Sequence, residues 1–121
     1  MAKLLDWSAL LAYCALIYGL SAQETLPVPE VFALQDKFLH LGAYFVMAIL
    51  SWRAFRHLQI NAQTLAWAGF LFCSLYGVSD EWHQSFVLGR TASIWDWLAD
   101  SLGGALACYL ILKFNLKQSV N

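Results

Sequence analysis

The stretch that decides the fold runs from Leu58 to Ser79 and reads LQINAQTLAWAGFLFCSLYGVS. It contains no charged residue, and as an α-helix it is long enough to cross the hydrocarbon layer of a membrane, which takes about 17–25 residues. The rest of the chain has the same character, because 60% of its 121 residues are hydrophobic and 12% are charged. Soluble domains have about 25% charged residues, since a small fold must cover its surface with polar groups. The composition therefore predicts an all-α membrane protein.

Further uncharged stretches lie at 7–23, 38–52 and 101–112. The first is of spanning length by itself. The other two reach spanning length only when their helices begin earlier, which brings Asp36 into one helix and Asp96 into the other. We predict a single domain, 1–121, with four membrane-spanning helices at about 4–22, 36–53, 62–85 and 94–113.

The distribution of positive charge predicts the orientation of these helices. Short cytoplasmic loops carry an excess of lysine and arginine. An even number of spans puts both termini and the middle loop on one side, with Lys3, Arg53, Arg56, Lys113 and Lys117, and leaves Lys37 and Arg90 on the other. We predict a multi-pass protein of the cytoplasmic membrane with both termini in the cytoplasm. A secretory signal is the alternative for the first stretch, but Asp6 is unfavourable in a positively charged leader.

Proline and glycine mark the connections. Pro27 and Pro29 exclude a continuous helix between the first and second spans. Gly89 is predicted to stop a helix in the left-handed conformation, and Ser93 is predicted to cap the start of the last helix.

Small residues recur at about four-residue spacing in the last two predicted helices, which lets membrane helices approach closely. The three cysteines lie in apolar stretches and are predicted to be buried packing residues. The small residues are Gly69, Cys73 and Gly77 in the third helix and Gly103, Gly104, Ala107 and Cys108 in the fourth.

Polar residues gather at the predicted extracytoplasmic ends of the second, third and fourth helices. Residues four apart share one face of a helix. Asp80 and Glu81 lie near a helix C-terminus, where the helix dipole disfavours negative charge, so we predict that Arg90 contacts one of them. The pairs that share a face are Asp36 with His40, Asp80 with Gln84, and Asp96 with Asp100.

Structural roles are the alternatives for several of these residues. Asp96 follows Ser93 by three positions, which is the spacing of a capping box. Asp36 is a candidate N-cap of the second helix. Arg90 is also placed to meet lipid phosphates, and His83 is placed to lie at the membrane interface.

The predicted cluster has five carboxylates and two permanent cations, which leaves a surplus of three negative charges. Protonated His40 and His83 can offset at most two of the three surplus charges, and the remainder requires carboxylate protonation, water or a bound divalent cation. Oxygen ligands would favour Mg²⁺ or Ca²⁺, and ligation by His40 would favour Zn²⁺ or Mn²⁺. The carboxylates are Asp36, Asp80, Glu81, Asp96 and Asp100, and the permanent cations are Lys37 and Arg90.

The order of these features resembles the VanZ-like family over roughly residues 36–108. The matching features are Asp36-Lys37-x-x-His40, Asp80-Glu81-x-x-Gln84, Arg90, Asp96, Gly103 and Gly104. Many members have an asparagine at the position of Asp100, so this chain adds a carboxylate there. The resemblance implies a membrane protein of the cell envelope linked to low-level resistance to the glycopeptide teicoplanin, and it names a setting without naming a reaction.

The first hypothesis is a site that binds, and as an enzyme would modify, a lipid-linked or peptidoglycan-related headgroup. The catalytic candidates, as acid–base groups or metal ligands, are His40, Asp80 and Glu81. The ligand-binding candidates are Asp36, Lys37, Gln84, Arg90, Asp96 and Asp100, with Lys37 and Arg90 for phosphate or carboxylate. Membrane lipid is the expected surrounding, and the net charge of −1 with no basic stretch argues against a nucleic-acid partner.

Two other hypotheses keep the same topology. In one, the polar cluster locks the helices of a non-enzymatic binding or assembly protein. In the other, an oligomer translocates ions or protons, since acidic residues mark proton relays in membranes. The second is weaker, because no carboxylate lies midway through a predicted span.

Overall fold

The computed structural model describes residues 1–25 and 28–120, which form four α-helices and a short 3-10 turn. The helices are α1 (Ala2–Ser21), α2 (Gln35–Phe55), α3 (Ala62–Gln84) and α4 (Ile94–Val120), and the 3-10 turn is Arg56–Leu58. The all-α prediction is confirmed, and the helices begin close to the predicted positions. The fourth helix continues well beyond its predicted end near residue 113. Pro29 lies in the non-helical connection after α1, whereas Pro27 is outside the described residues.

The helices alternate in direction, as contacts between their ends show. Ser21 at the end of α1 donates to Asp80 near the end of α3, and Asp6 near the start of α1 pairs with Arg53 near the end of α2. Helix α4 packs on α2 and α3, and α1 packs on the same two helices.

The bundle therefore has two chemically distinct ends. The acidic end is defined by Asp36, Asp80, Glu81, Asp96 and Asp100 and collects the starts of α2 and α4 and the ends of α1 and α3. The basic end is defined by Lys3, Arg53, Arg56, Lys113 and Lys117.

The surface of the bundle is apolar and its buried polar groups are at the ends. Asp6, Asp80, Asp96 and Asp100 are buried, while large hydrophobic side chains along every helix are exposed. This is the reverse of a soluble fold, and it matches a protein whose solvent is lipid. The helical segments long and apolar enough to cross a membrane are Ala2–Ser21, Gln35–Leu58 and Ile94–Gln118.

Helix α3 is absent from that set because polar residues at both of its ends lower its hydropathy. It is nevertheless 23 residues long, which corresponds to about 34 Å of helix. Its exposed face carries Trp67, Leu71, Leu75 and Val78.

The predicted small residues do bring helices into close contact. A Cβ atom added to Gly104 would lie 2.8 Å from Cys73 Cβ on α3, and one added to Gly103 would lie 2.2 Å from the Leu41 carbonyl oxygen on α2. Helix α4 is thus pressed against backbone on one side and a cysteine on the other. The cysteine prediction is confirmed for Cys73 and Cys108, which are free and buried, whereas Cys14 is half-buried.

Candidate functional site

Lys37 joins α2 to α4 at the acidic end. Its ammonium group pairs with Asp96 and lies 3.3 Å from Asp36 Oδ2. The structure contradicts two structural alternatives, the capping box of Asp96 and the N-cap role of Asp36. The carboxylate of Asp96 is engaged by Lys37 and makes no capping-box bond to the Ser93 N–H. Asp36 lies within the first turn of α2, and the N-cap position is occupied by Leu34.

His40 makes the second link between α2 and α4. Its Nδ1 atom lies 2.8 Å from Asp100 Oδ1, and its Nε2 atom lies 3.8 Å from both Asp36 Oδ1 and Asp96 Oδ2. One imidazole thus faces three carboxylates. The bond to Asp100 orients the ring so that Nε2 is directed at the other two.

The two carboxylates at the end of α3 have neutral partners. Asp80 accepts a hydrogen bond from the Ser21 hydroxyl, and the Gln84 amide nitrogen lies 3.4 Å from Asp80 Oδ2. Glu81 Oε2 accepts from the Ser93 N–H at 2.8 Å. Because Ser93 directly precedes α4, Glu81 lies at a helix N-terminus, where the helix dipole favours negative charge. This placement offsets the unfavourable dipole of its own helix.

The predicted contact between Arg90 and these carboxylates is wrong. Arg90 Nη1 instead donates to the carbonyl oxygen of Gln23 at 3.1 Å, and within the described residues it forms no ion pair with Asp80 or Glu81. Gly89 has the predicted left-handed conformation, with φ of 80°, but it lies in the loop beyond α3. That loop brings Arg90 against the connection after α1.

Helix α1 contributes to the acidic end, which the sequence reasoning missed. Ser21 hydrogen-bonds Asp80, and Tyr18 stacks on His83 with ring centroids 4.2 Å apart. His83 therefore lies between α1 and α3. The small residues near Ser21 were the only available signal, and they also fit a signal-peptide cleavage site.

Two adjoining cavities open at the acidic end. The polar pocket has a volume of about 500 Å³ and the apolar cavity about 220 Å³. Residues that line both are Val28, Asp36, Leu39, Gln84 and Arg90. Glu24, Glu30, Lys37 and Asp96 complete the charged lining of the polar pocket. Ile17, Leu20, Ala43 and Tyr44 are among the walls of the apolar cavity, which also contacts His40 and Asp80.

The predicted site residues divide according to these cavities. Asp36, Lys37, Gln84, Arg90 and Asp96, all ligand-binding candidates, line the polar pocket. Of the catalytic candidates, His40 and Asp80 line the apolar cavity. Glu81 and Asp100 line neither cavity and lie deeper between the helices.

Two groups at the acidic end have the spacing of metal ligands. One consists of Asp36, His40 and Asp96, and the other of His40, Glu81 and Asp100. In each group, one ligand atom per residue lies within 4.8 Å of the others. His40 belongs to both groups.

The basic end holds a compact ion cluster that the sequence reasoning did not predict. Asp6 Oδ1 lies 2.8 Å from Arg53 Nη2, and Asp6 Oδ2 lies 3.0 Å from Arg56 Nη2 and 2.8 Å from His57 Nε2. Asp6 is only 2% exposed. Both carboxylate oxygens are paired, so this cluster fastens α1 to the end of α2.

The model of the VanZ/LLP1 family matches residues 10–116 of the chain. The chain belongs to the VanZ/LLP1 family. Comparisons with curated proteins and with solved structures give no match. The range shared with the VanZ family contains every carboxylate of the acidic end, whereas Asp6 lies before it. The family resemblance seen in the sequence is thereby confirmed.

Proposed function

We propose that this VanZ-family protein crosses the cytoplasmic membrane four times, with both termini in the cytoplasm and the acidic end outside. The four helices alternate in direction, which supports four crossings of the membrane. The length of α3 and its exposed Trp67, Leu71 and Leu75 fit a lipid-facing helix. Lysine and arginine are concentrated at the basic end, as expected for the cytoplasmic side.

Reporter fusions test this orientation. Alkaline phosphatase, which is active only outside the cytoplasm, is expected to be inactive when fused after Asn121 and active when inserted after Val31, between α1 and α2. A green fluorescent protein fused at the same two positions should give the opposite pattern. An active phosphatase at the C-terminus, with a dark fluorescent fusion there, would contradict the proposal.

At the acidic end we propose a binding site for a lipid-linked or peptidoglycan-related component of the cell envelope. The observation that supports it is that the polar pocket and the apolar cavity lie side by side and share Asp36, Gln84 and Arg90 in their linings. A charged headgroup fits the first and an apolar chain fits the second. Lys37 and Arg90 provide donors for phosphate or carboxylate, and the acidic lining suits ammonium groups.

Binding of such a component would also account for a part in teicoplanin-type resistance. The acidic end would retain or alter a component on the side of the membrane where cell-wall precursors are exposed. In an enzymatic version, His40 and Asp80 are the acid–base candidates that reach the apolar cavity.

Binding is measured with the protein in nanodiscs and a lipid-linked peptidoglycan precursor as the probe. We expect the precursor to raise the melting temperature, and the same headgroup without its lipid chain to raise it less. Arg90→Gln should weaken binding about tenfold through loss of charge-assisted hydrogen bonds. Ala43→Leu, which narrows the apolar cavity, should weaken binding of the lipid-linked probe only.

Leu75→Phe is the matched control, because Leu75 is an exposed residue of α3 that lines neither cavity. Its affinity should equal that of the wild type. The binding site would be refuted if the precursor left the melting temperature of the wild type unchanged. Equal affinities of the wild type, Arg90→Gln, Ala43→Leu and Leu75→Phe for the precursor would also refute it.

A role in assembly alone is the second candidate, and one observation favours it. The contacts of Lys37 with Asp96, of His40 with Asp100 and of Ser21 with Asp80 each join two helices. If the protein fails to bind the precursor but these pairs prove necessary for folding, the acidic end is a structural clamp.

A further inference from the structure

We propose that His40, Glu81 and Asp100 bind one divalent cation, Mn²⁺ or Zn²⁺, at the point where α2, α3 and α4 meet. The site adjoins the apolar cavity, which His40 also lines, whereas Glu81 and Asp100 line neither cavity. The proposal does not depend on the proposed envelope ligand.

The spacing of the three residues suits a single ion. One ligand atom from each lies within 4.8 Å of the other two. Ligand atoms about 2.0–2.2 Å from an ion are separated from each other by about 3–4 Å. The three residues are therefore close enough together to reach one ion.

Two buried carboxylate oxygens in the group have no hydrogen-bond partner among the described residues. They are Asp100 Oδ2 and Glu81 Oε1. Asp100 is 0% exposed and Glu81 is 8% exposed, so water gives little compensation. An unpartnered buried carboxylate oxygen is costly. A cation between the two residues would satisfy both oxygens at once.

The position of Gly77 shows where Asp100 is directed. A Cβ atom at Gly77 would lie 3.0 Å from Asp100 Oδ2, so this oxygen packs directly against the backbone of α3. Glu81 is one turn further along the same face of that helix. The missing side chain at residue 77 thus leaves the space in which the two carboxylates approach each other.

The second candidate group is a poorer metal site because it already has a cation. Lys37 pairs with both Asp36 and Asp96, and the Asp36 side chain is 52% exposed. By contrast, the group of His40, Glu81 and Asp100 has no lysine or arginine within ion-pair distance in the described part of the chain. Protonated His40 would neutralise Asp100 but would leave Glu81 Oε1 without a partner.

The donor set selects the kind of ion. One imidazole nitrogen with two carboxylates suits Zn²⁺ or Mn²⁺ better than Ca²⁺ or Mg²⁺, which prefer oxygen ligands alone. Glu81 also accepts from the Ser93 N–H through its other oxygen. Such outer contacts orient the ligands of metal sites.

Metal content measures the site directly. The purified full chain in nanodiscs is stripped with a chelator, equilibrated with Mn²⁺ or Zn²⁺, passed through gel filtration and assayed by mass spectrometry for metal. We expect about one ion per chain for the wild type. Glu81→Gln and Asp100→Asn should each lower retention at least tenfold, whereas Asp36→Asn should retain the wild-type amount.

Circular dichroism tests whether each variant is folded. If a variant does not fold, pulsed electron paramagnetic resonance of Mn²⁺ bound to the wild type still tests the site. Bound Mn²⁺ should show coupling to one imidazole nitrogen in pulsed electron paramagnetic resonance. A folded wild type that retains no ion would overturn the proposal, as would undiminished retention in Glu81→Gln and Asp100→Asn. Bound Mn²⁺ without nitrogen coupling would also overturn it.

Discussion

Replacing Gly103 with alanine is expected to prevent α2 and α4 from packing in their native positions. The new Cβ atom would lie 2.2 Å from the Leu41 carbonyl oxygen and 3.1 Å from the Phe45 backbone nitrogen. Both neighbours are backbone atoms, so no side-chain rotation relieves the overlap and the helices must separate. We expect a loss of about 3 kcal/mol or more in the free energy of unfolding. The ion pairs between these helices should weaken with it.

Gly42→Ala is the matched control, since nothing lies within 4 Å of a Cβ atom built at that position of α2. Alanine has the higher helix propensity, so the control should keep or raise the melting temperature. The measurement is thermal unfolding of both variants in the same detergent, monitored by circular dichroism. Equal melting temperatures for the two variants would show that α2 and α4 are not in backbone contact at Gly103.

Lys37→Met is expected to be the most damaging single change among the charged residues of the acidic end. Asp96 is 5% exposed, and without Lys37 its carboxylate faces Asp36 and the Asp100–His40 pair with no permanent cation. Removing one partner of a buried pair leaves an uncompensated charge. Because Lys37 itself is partly exposed, we expect a loss of about 2 kcal/mol and not the full cost of a buried pair.

The double variant Lys37→Met with Asp96→Asn separates charge from packing. It removes the stranded carboxylate, so its stability should recover most of what Lys37→Met loses. Thermal unfolding of the wild type, the two single variants and the double variant gives the coupling free energy of the pair. A double variant less stable than Lys37→Met would mean that the charge of Asp96 is compensated by another group.

The sequence was sufficient to predict four helices, because each of them contains a long apolar stretch. It also placed the polar residues on shared faces, since four-residue spacing does so in any helix. The partners of those residues depend on tertiary structure. Lys37 and Asp96 are 59 positions apart, and no local pattern pairs them.

The failures at the acidic end have the same physical origin. The capping-box alternative considered only the local partner of the Ser93 N–H, and the structure provides Glu81 from another helix. The Arg90 prediction assumed that charge alone directs an arginine. The loop around Gly89 instead brings Arg90 to the Gln23 carbonyl oxygen, an acceptor that carries no formal charge.

In the proposed topology, the partners of Asp6 would impose an order on insertion of the chain into the membrane. During synthesis α1 leaves the ribosome before α2, so Asp6 emerges before Arg53, Arg56 and His57 have been made. A carboxylate at the edge of the hydrocarbon layer is costly without a counter-ion. In the proposed topology, helix α1 would therefore become fully stable in the bilayer only when the end of α2 arrives beside it. The unit of insertion would then be the helical hairpin of α1 and α2, which the ion cluster of Asp6 closes.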